Sequence, residues 1–156
     1  MSDKTRMPLA FKHTYKSVSF KKVFQVVTQI SLCAPDAALE EQTDKRLIIS
    51  RTQELSSYIR KLLKYQHDSV PYKEIIDIDI DKKQFMIQAR VNIRKYHLQV
   101  GIRYKQVDDD VHVSGKILIE GVQDPLLRKI AMEVIKQQYK ICRNTEQQEL
   151  RRRFIL

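Results

Sequence analysis

The strongest constraint on this chain is a hydrophobic period of two. Ile76, Ile78 and Ile80 alternate with Asp77 and Asp79. Past the polar turn Asp81-Lys82-Lys83, the residues Phe85, Ile87, Ala89, Val91 and Ile93 alternate with Gln84, Gln88, Arg90 and Asn92. A third run sets Tyr96, Leu98, Val100, Ile102 and Tyr104 against His97, Gln99, Arg103 and Lys105. After Asp108-Asp109-Asp110 the pattern resumes at Val111, Val113, Ile117 and Ile119. Successive side chains of a strand point to opposite faces, so each run has one apolar and one wet face. Four such runs joined by short polar turns predict an antiparallel meander over residues 72–122. Its one apolar face must be covered by another element.

Helices supply the cover. Asp124-Pro125 is a start signal, Asp as N-cap and Pro at the first helical position. Leu127, Ile130, Ala131, Val134 and Ile141 follow helical spacing, which predicts a helix to about Arg143 or beyond. Its polar side carries Arg128, Lys129, Lys136 and Lys140. A second helix is predicted within residues 51–66, where Leu55, Tyr58, Ile59, Leu62 and Leu63 form a stripe. Ser50-Arg51-Thr52-Gln53 fits a capping box there, with Ser56 as a competing cap. Residues 20–32, with Phe20, Val23, Phe24, Val27 and Ile30, read as a third helix, although their β-branched content leaves a strand open. Residues 34–44 are polar and loop-like, and Leu47-Ile48-Ile49 reads as a short strand. The expected fold is therefore α+β, an antiparallel meander wrapped around a long C-terminal helix. It is expected as a single domain over residues 1–156, with 1–14 and 146–156 as flexible ends.

The chain's 156 residues suffice for one hydrophobic core. Charges interrupt every apolar stretch well short of the roughly 20 residues of a membrane span, and the N-terminus has no apolar stretch of a secretory signal. Cys33 and Cys142 make neither a disulfide framework nor a zinc spacing, which leaves packing as their default role. Asp77, Asp79 and Asp81 imitate the start of a calcium loop, but Lys82 stands where its glycine belongs and Gln88 where its glutamate belongs. His13, His67, His97 and His112 are scattered, and Gly115-Lys116 lacks a phosphate-binding loop around it. The expectation is a non-enzymatic protein without metal or cofactor.

Charge then points to a partner. The formal net charge is +10. Residues 1–64 hold 12 Lys and Arg against 6 Asp and Glu, residues 65–122 hold 9 against 9, and residues 123–156 hold 8 against 4. Basic ends around a neutral middle suit an anionic partner, nucleic acid or an acidic membrane. Phe20, Phe24, Phe85, Tyr96 and Tyr104 all fall on apolar stripes, which leaves no platform for base stacking. Acidic phospholipid is the better match. A basic nucleic-acid-binding or ribonucleoprotein module and a ligand-free structural adaptor stay open as alternatives. The candidate headgroup ligands are Arg46, Arg51, Lys61, Lys136 and Lys140, and the candidate membrane contact is Leu55, Tyr58, Ile59, Leu62 and Leu63.

A curved antiparallel sheet over a long C-terminal helix is the START-like, helix-grip arrangement. Ser57-Tyr58-Ile59-Arg60-Lys61-Leu62-Leu63, then Tyr72-Lys73-Glu74, then Ile78-Asp79-Ile80-Asp81-Lys82-Lys83-Gln84-Phe85 resemble the PRELI-like (slowmo) phospholipid-transfer domain within it. Asn92-Ile93 stands at that family's strand ending, Arg46-Leu47-Ile48-Ile49-Ser50 looks like its R-L-L-S strand, and Phe20-Lys21-Lys22-Val23-Phe24 resembles the start of its first helix. The likeness covers roughly residues 15–145. The family's Tyr-Pro-Asn-Pro is reduced to Cys33-Ala34-Pro35-Asp36, the strand that follows is shortened or lost between Pro35 and Lys45, and Gln29 stands at a basic position of the headgroup pocket. The Pro and Trp of its membrane-touching loop are replaced by Gln53, Glu54 and Ser56. The resemblance implies a carrier that holds phosphatidic acid or phosphatidylserine in an internal cavity and moves it between membranes. It also implies a small helical twin-cysteine-motif partner and the mitochondrial intermembrane space.

Overall fold

The computed structural model describes residues 7–154. In chain order these form β1 (Met7–Tyr15), α1 (Phe20–Leu32), β2 (Ala38–Gln42), β3 (Arg46–Glu54), α2 (Ser57–Leu63), β4 (Ser69–Asp79), β5 (Gln84–Ile93), β6 (Tyr96–Val107), β7 (Asp110–Glu120) and α3 (Pro125–Phe154). The strands make one seven-stranded antiparallel sheet in the order β1-β7-β6-β5-β4-β3-β2. The meander β4–β7 stands where the period of two placed it, and α3 starts at the expected proline. Asp124 Oδ1 accepts from the backbone N–H groups of Leu126 and Leu127 at 2.9 and 3.0 Å, the cap that its type favours.

The register sets which side chains face α3. Phe85, Tyr104, Val113 and His13 sit opposite one another across β5, β6, β7 and β1, and two residues on Ile87, Ile102, Gly115 and Phe11 do the same. Glycine at 115 is a packing requirement, because a Cβ there would lie 2.1 Å from the Phe11 ring. One core gathers Tyr15, Phe20, Val23, Val26, Ile49, Ile76, Phe85, Tyr104 and Leu150, with the rings of Phe85 and Tyr104 stacked at 4.4 Å. A second, smaller cluster joins Met7, Ile117, Ile119 and Val122, against which Leu98, Val100, Leu127, Ala131 and Ile135 pack only partly buried.

Several sequence expectations change. Residues 7–14, placed in a flexible end, form with Tyr15 an edge strand paired with all of Val111–Ile119. Residues 146–154, placed in the other, continue α3, and Leu150 there is the buried residue of that helix. Residues 1–6 and 155–156 of those ends lie outside the described residues. The strand read as lost near residues 36–45 exists as β2. All five of its residues are exposed, so no burial alternation marks it in the sequence. Arg51–Gln53, read as the first turn of a helix, belong to β3. Ser56 caps α2 instead, its Oγ accepting from the N–H of Ile59 at 3.2 Å. Residues 20–32 are helical, with Ser19 as their cap.

Leu150 is 0% exposed. Leu150→Ala is expected to destabilise the fold by about 2–5 kcal/mol, whereas Leu126→Ala, at a side chain 66% exposed, stays within about 0.5 kcal/mol. Urea unfolding followed by circular dichroism checks both.

Candidate functional site

The space between the sheet and α3 has an apolar part and a polar part. On the apolar side, Leu98, Val100 and Ile102 of β6 face α3 yet stay partly accessible. Leu98 and Val100 pack with Leu127, Ala131 and Ile135 of α3 as an apolar layer that is only partly buried, and Ile102 packs beside the main core.

The polar part lies under the C-terminal half of α3. Tyr15 Oη donates to Glu146 Oε1 at 2.7 Å, and Tyr104 Oη donates to Oε2 at 3.0 Å. Burial raises the Glu146 carboxyl from 4.5 to about 7, outweighing the two hydroxyl hydrogen bonds that favour its charged form. Both tyrosines are pushed up, first by burial and then by the charge of Glu146, and stay protonated donors. On β1, His13 Nδ1 lies 2.6 Å from Tyr139 Oη, and the Tyr139 ring packs on Phe11 with centroids 4.0 Å apart. Burial, then the Arg143 charge, lowers His13 to about 4, so its ring is neutral at pH 7. Across the sheet, Glu74 is 8% exposed and is held by an ion pair from Arg51 and a 2.9 Å hydrogen bond from Ser31 Oγ. Two buried nitrogens of this layer, His13 Nε2 and Arg51 Nε, have no partner among the described residues. Unpartnered buried polar atoms are rare, and a ligand atom is one way to satisfy them.

Of the five expected headgroup residues, only Arg51 points inward. Arg46 is on the opposite sheet face, paired with Asp77 at 2.7 Å. Lys136 and Lys140 lie on the solvent side of α3, and Lys61 is exposed on α2. The physical reason is that a basic stripe on an amphipathic helix faces water, and the interior is reached from the opposite stripe. The expected membrane contact falls on α2, which has no buried residue, and on Leu55 just before it. Tyr58 there is 58% exposed, and Leu55, Ile59, Leu62 and Leu63 are half-buried. Cys33 and Cys142, expected as packing residues, are both exposed. The sequence reading missed Glu146 and His13 because they fell in supposed flexible ends, and Tyr15 because it stands just past one of them. It missed Glu74 because Tyr72-Lys73-Glu74 was read as a pattern. The available signal was a carboxylate at an inward position of β4, between Tyr72 and Ile76.

No family model and no curated protein sequence matches this chain. Solved structures do. The chain is similar to the Zhui aromatase/cyclase from Streptomyces sp. R1128, with a TM-score of 0.61 at 10% identity over 96% of this chain and 97% of that one. It is similar to a conserved protein from Geobacillus kaustophilus, TM-score 0.57 at 10% identity over 94% and 96%. It is also similar to norcoclaurine synthase from Thalictrum flavum, in complex with dopamine and hydroxybenzaldehyde, TM-score 0.54 at 10% identity over 94% and 88%. These likenesses define the class: the chain has the helix-grip fold, an antiparallel sheet wrapped around a long C-terminal helix. They also overturn the expectation that such a chain is no enzyme, since an aromatase/cyclase and a synthase share the architecture.

The two shifted groups pull stability in opposite directions. From about pH 4.5 to 7 the unfolded chain has released the Glu146 proton and the folded chain keeps it, so this group lowers stability as pH rises. From about pH 4 to 6.5 the unfolded chain binds a proton at His13 that the folded chain does not, so this group raises stability as pH rises. Relative to the parent chain, Glu146→Gln is expected to gain stability with rising pH, and His13→Phe to lose it. Each difference approaches about 1.4 kcal/mol per pH unit at its steepest. Urea unfolding at pH 4, 5, 6 and 7 reads both slopes.

Proposed function

We propose that this chain binds an acidic phospholipid, phosphatidic acid or phosphatidylserine, between its sheet and α3 and carries it between membranes. The observation that carries this reading is the pair of unpartnered buried nitrogens, His13 Nε2 and Arg51 Nε, in the polar layer beside an apolar layer that is only partly buried. An amphiphile matches that layout, its acyl chains along Leu98, Val100 and Ile135 and its headgroup oxygens at the polar layer. Arg51 and Arg143 are the cations near that position, in place of Lys136 and Lys140.

The end of the molecule at the start of α3 suits a membrane. The β5–β6 turn joins it to α2, with Arg94 Nη1 donating to the Lys64 carbonyl at 2.9 Å. Tyr58 on α2 and Leu126 at the start of α3 are large and exposed. Lys61, Lys64, Lys95 and Lys129 lie among them as exposed cations. Apolar tips within a basic rim can enter the lipid interface while each cation adds about 1 kcal/mol of attraction to anionic lipid. The succession of β3, a short helix and β4 also follows the order in the PRELI-like domain that the sequence resembles. The intermembrane space and a small twin-cysteine partner belong to the same proposal. Among the described residues no helix is long and apolar enough to cross a membrane.

Lipid extraction and native mass spectrometry of the purified chain test the reading. We expect one bound phospholipid per chain, a several-fold loss of it in Val100→Trp, which crowds the apolar layer, and no loss in Lys136→Glu with Lys140→Glu. Tyr58→Ser with Leu62→Ser is expected to weaken sedimentation with phosphatidylserine vesicles while bound lipid stays. A chain that neither carries nor takes up phospholipid would overturn the proposal.

A further inference from the structure

The chain has three glycines, and the fold explains two of them. Gly115 makes room for the Phe11 ring. Gly121 has φ +93°, and a Cβ there would lie 2.2 Å from the Lys95 carbonyl oxygen. Gly101 has neither reason. It sits in the middle of β6, a central strand, and a Cβ added to it would meet nothing within 4 Å. Glycine inside a strand costs stability, and where packing does not demand it, the close approach of a ligand is a standing explanation.

The surroundings of Gly101 identify the ligand's chemistry. Gly101 lies on the sheet face opposite α3, in a groove of about 660 Å³ whose polar lining is Lys73, Gln88, Arg90, Gln99 and Lys116 and whose apolar lining is Ile75, Ala89, Val100 and Leu118. Register brings these together: Lys116 and Gln88 flank Gly101 on its two neighbouring strands, and Gln99 is opposite Arg90. No acidic or aromatic residue lines the groove. Lys73 pairs with Glu40 at 2.8 Å at its margin, while Arg90 and Lys116 are exposed and make no ion pair among the described residues. Lys12 and Arg103 extend the positive face, both opposite Ser114. With strands about 4.8 Å apart and about 3.4 Å per residue along them, Lys116 and Arg90 are separated by on the order of 12 Å at their Cα atoms. Their side chains can meet the two ends of an extended anion better than a single compact one.

We propose that this groove binds a small soluble polyphosphate anion, such as the phosphate chain of a nucleoside triphosphate. Arg90 and Lys116 bind its charged oxygens, Gln88 and Gln99 donate amide hydrogen bonds, and the bare backbone at Gly101 admits the chain to the sheet surface. A volume of this size is that of a small-molecule site. With no ring to stack a base, recognition is of the phosphates alone, so tripolyphosphate, ATP and GTP bind alike. The site is on the far side of the sheet from the interior layer and does not depend on what is bound there.

Isothermal titration calorimetry of the full chain with sodium tripolyphosphate at low ionic strength tests this. We expect saturable binding of one anion per chain, at least tenfold tighter than orthophosphate. Gly101→Val is expected to abolish it with an unchanged or raised melting temperature, since the residue fills open space and suits a strand. Arg90→Gln with Lys116→Gln is expected to weaken it at least tenfold while phospholipid content stays the same, which separates this site from the interior one. Unaltered binding by Gly101→Val, or equal affinity for orthophosphate, would overturn the proposal. So would binding to vesicles containing phosphatidylinositol bisphosphate through the same residues when tripolyphosphate does not bind, because the ligand would then be a lipid headgroup.

Discussion

The pairing of β1 with β7 is the contact on which the rest of this structure depends. It joins residues 7–15 to residues 111–119, so closing it carries the large loop-closure cost of a long-range strand pair. Once made, it puts the two halves of the polar layer on one sheet and under one helix. Tyr15 arrives from β1 and Tyr104 from β6, two strands away, and their hydroxyls share the Glu146 carboxylate. His13, two residues before Tyr15, meets Tyr139 two turns earlier on the same helix. Without β1 the sheet would end at β7, and α3 would lose the partners that fix its rotation over the apolar face.

Charge is distributed by the same geometry. The lysines of α3 stand in water on its outer stripe, whereas the groups that reach the interior are few, shielded and mutually bonded. Burial therefore decides their protonation more than the net charge of the chain does. A carboxyl that titrates near neutrality and an imidazole kept neutral are both products of one dry layer between a sheet and a helix.

The meander and the start of α3 were legible because the code there is local. Alternation every second residue and an Asp-Pro cap need no knowledge of the rest of the chain. β2 was illegible because an edge strand exposed on both faces carries no alternation. β1 was overlooked because its inward set mixes Leu9 and Phe11 with His13 and Tyr15, which reads as polar until the facing helix is known. The site was harder still. Arg51 was singled out for its charge and does point inward, whereas Lys136 and Lys140 were chosen on the polar side of the helix, and that side faces water. Glu146 could be found only by knowing that α3 continues to Phe154, which places the carboxylate four residues before the anchor at Leu150.

That anchor makes α3 a cantilever. Its C-terminal end is fixed by Leu150 in the main core and by Lys22 of α1, whose Nζ lies 5.1 Å above the Phe154 ring. Its other end packs through the partly buried Leu127, Ala131, Met132 and Ile135 against the smaller cluster of Met7, Ile117, Ile119 and Val122. At 1.5 Å per residue, Leu126 is about 36 Å from Leu150. A tilt of roughly 5° about the anchor would sweep that tip through about 3 Å, while side chains beside Leu150 would shift by only tenths of an ångström. The helix's own length thus converts a small rotation at the core into a much larger displacement at its far end.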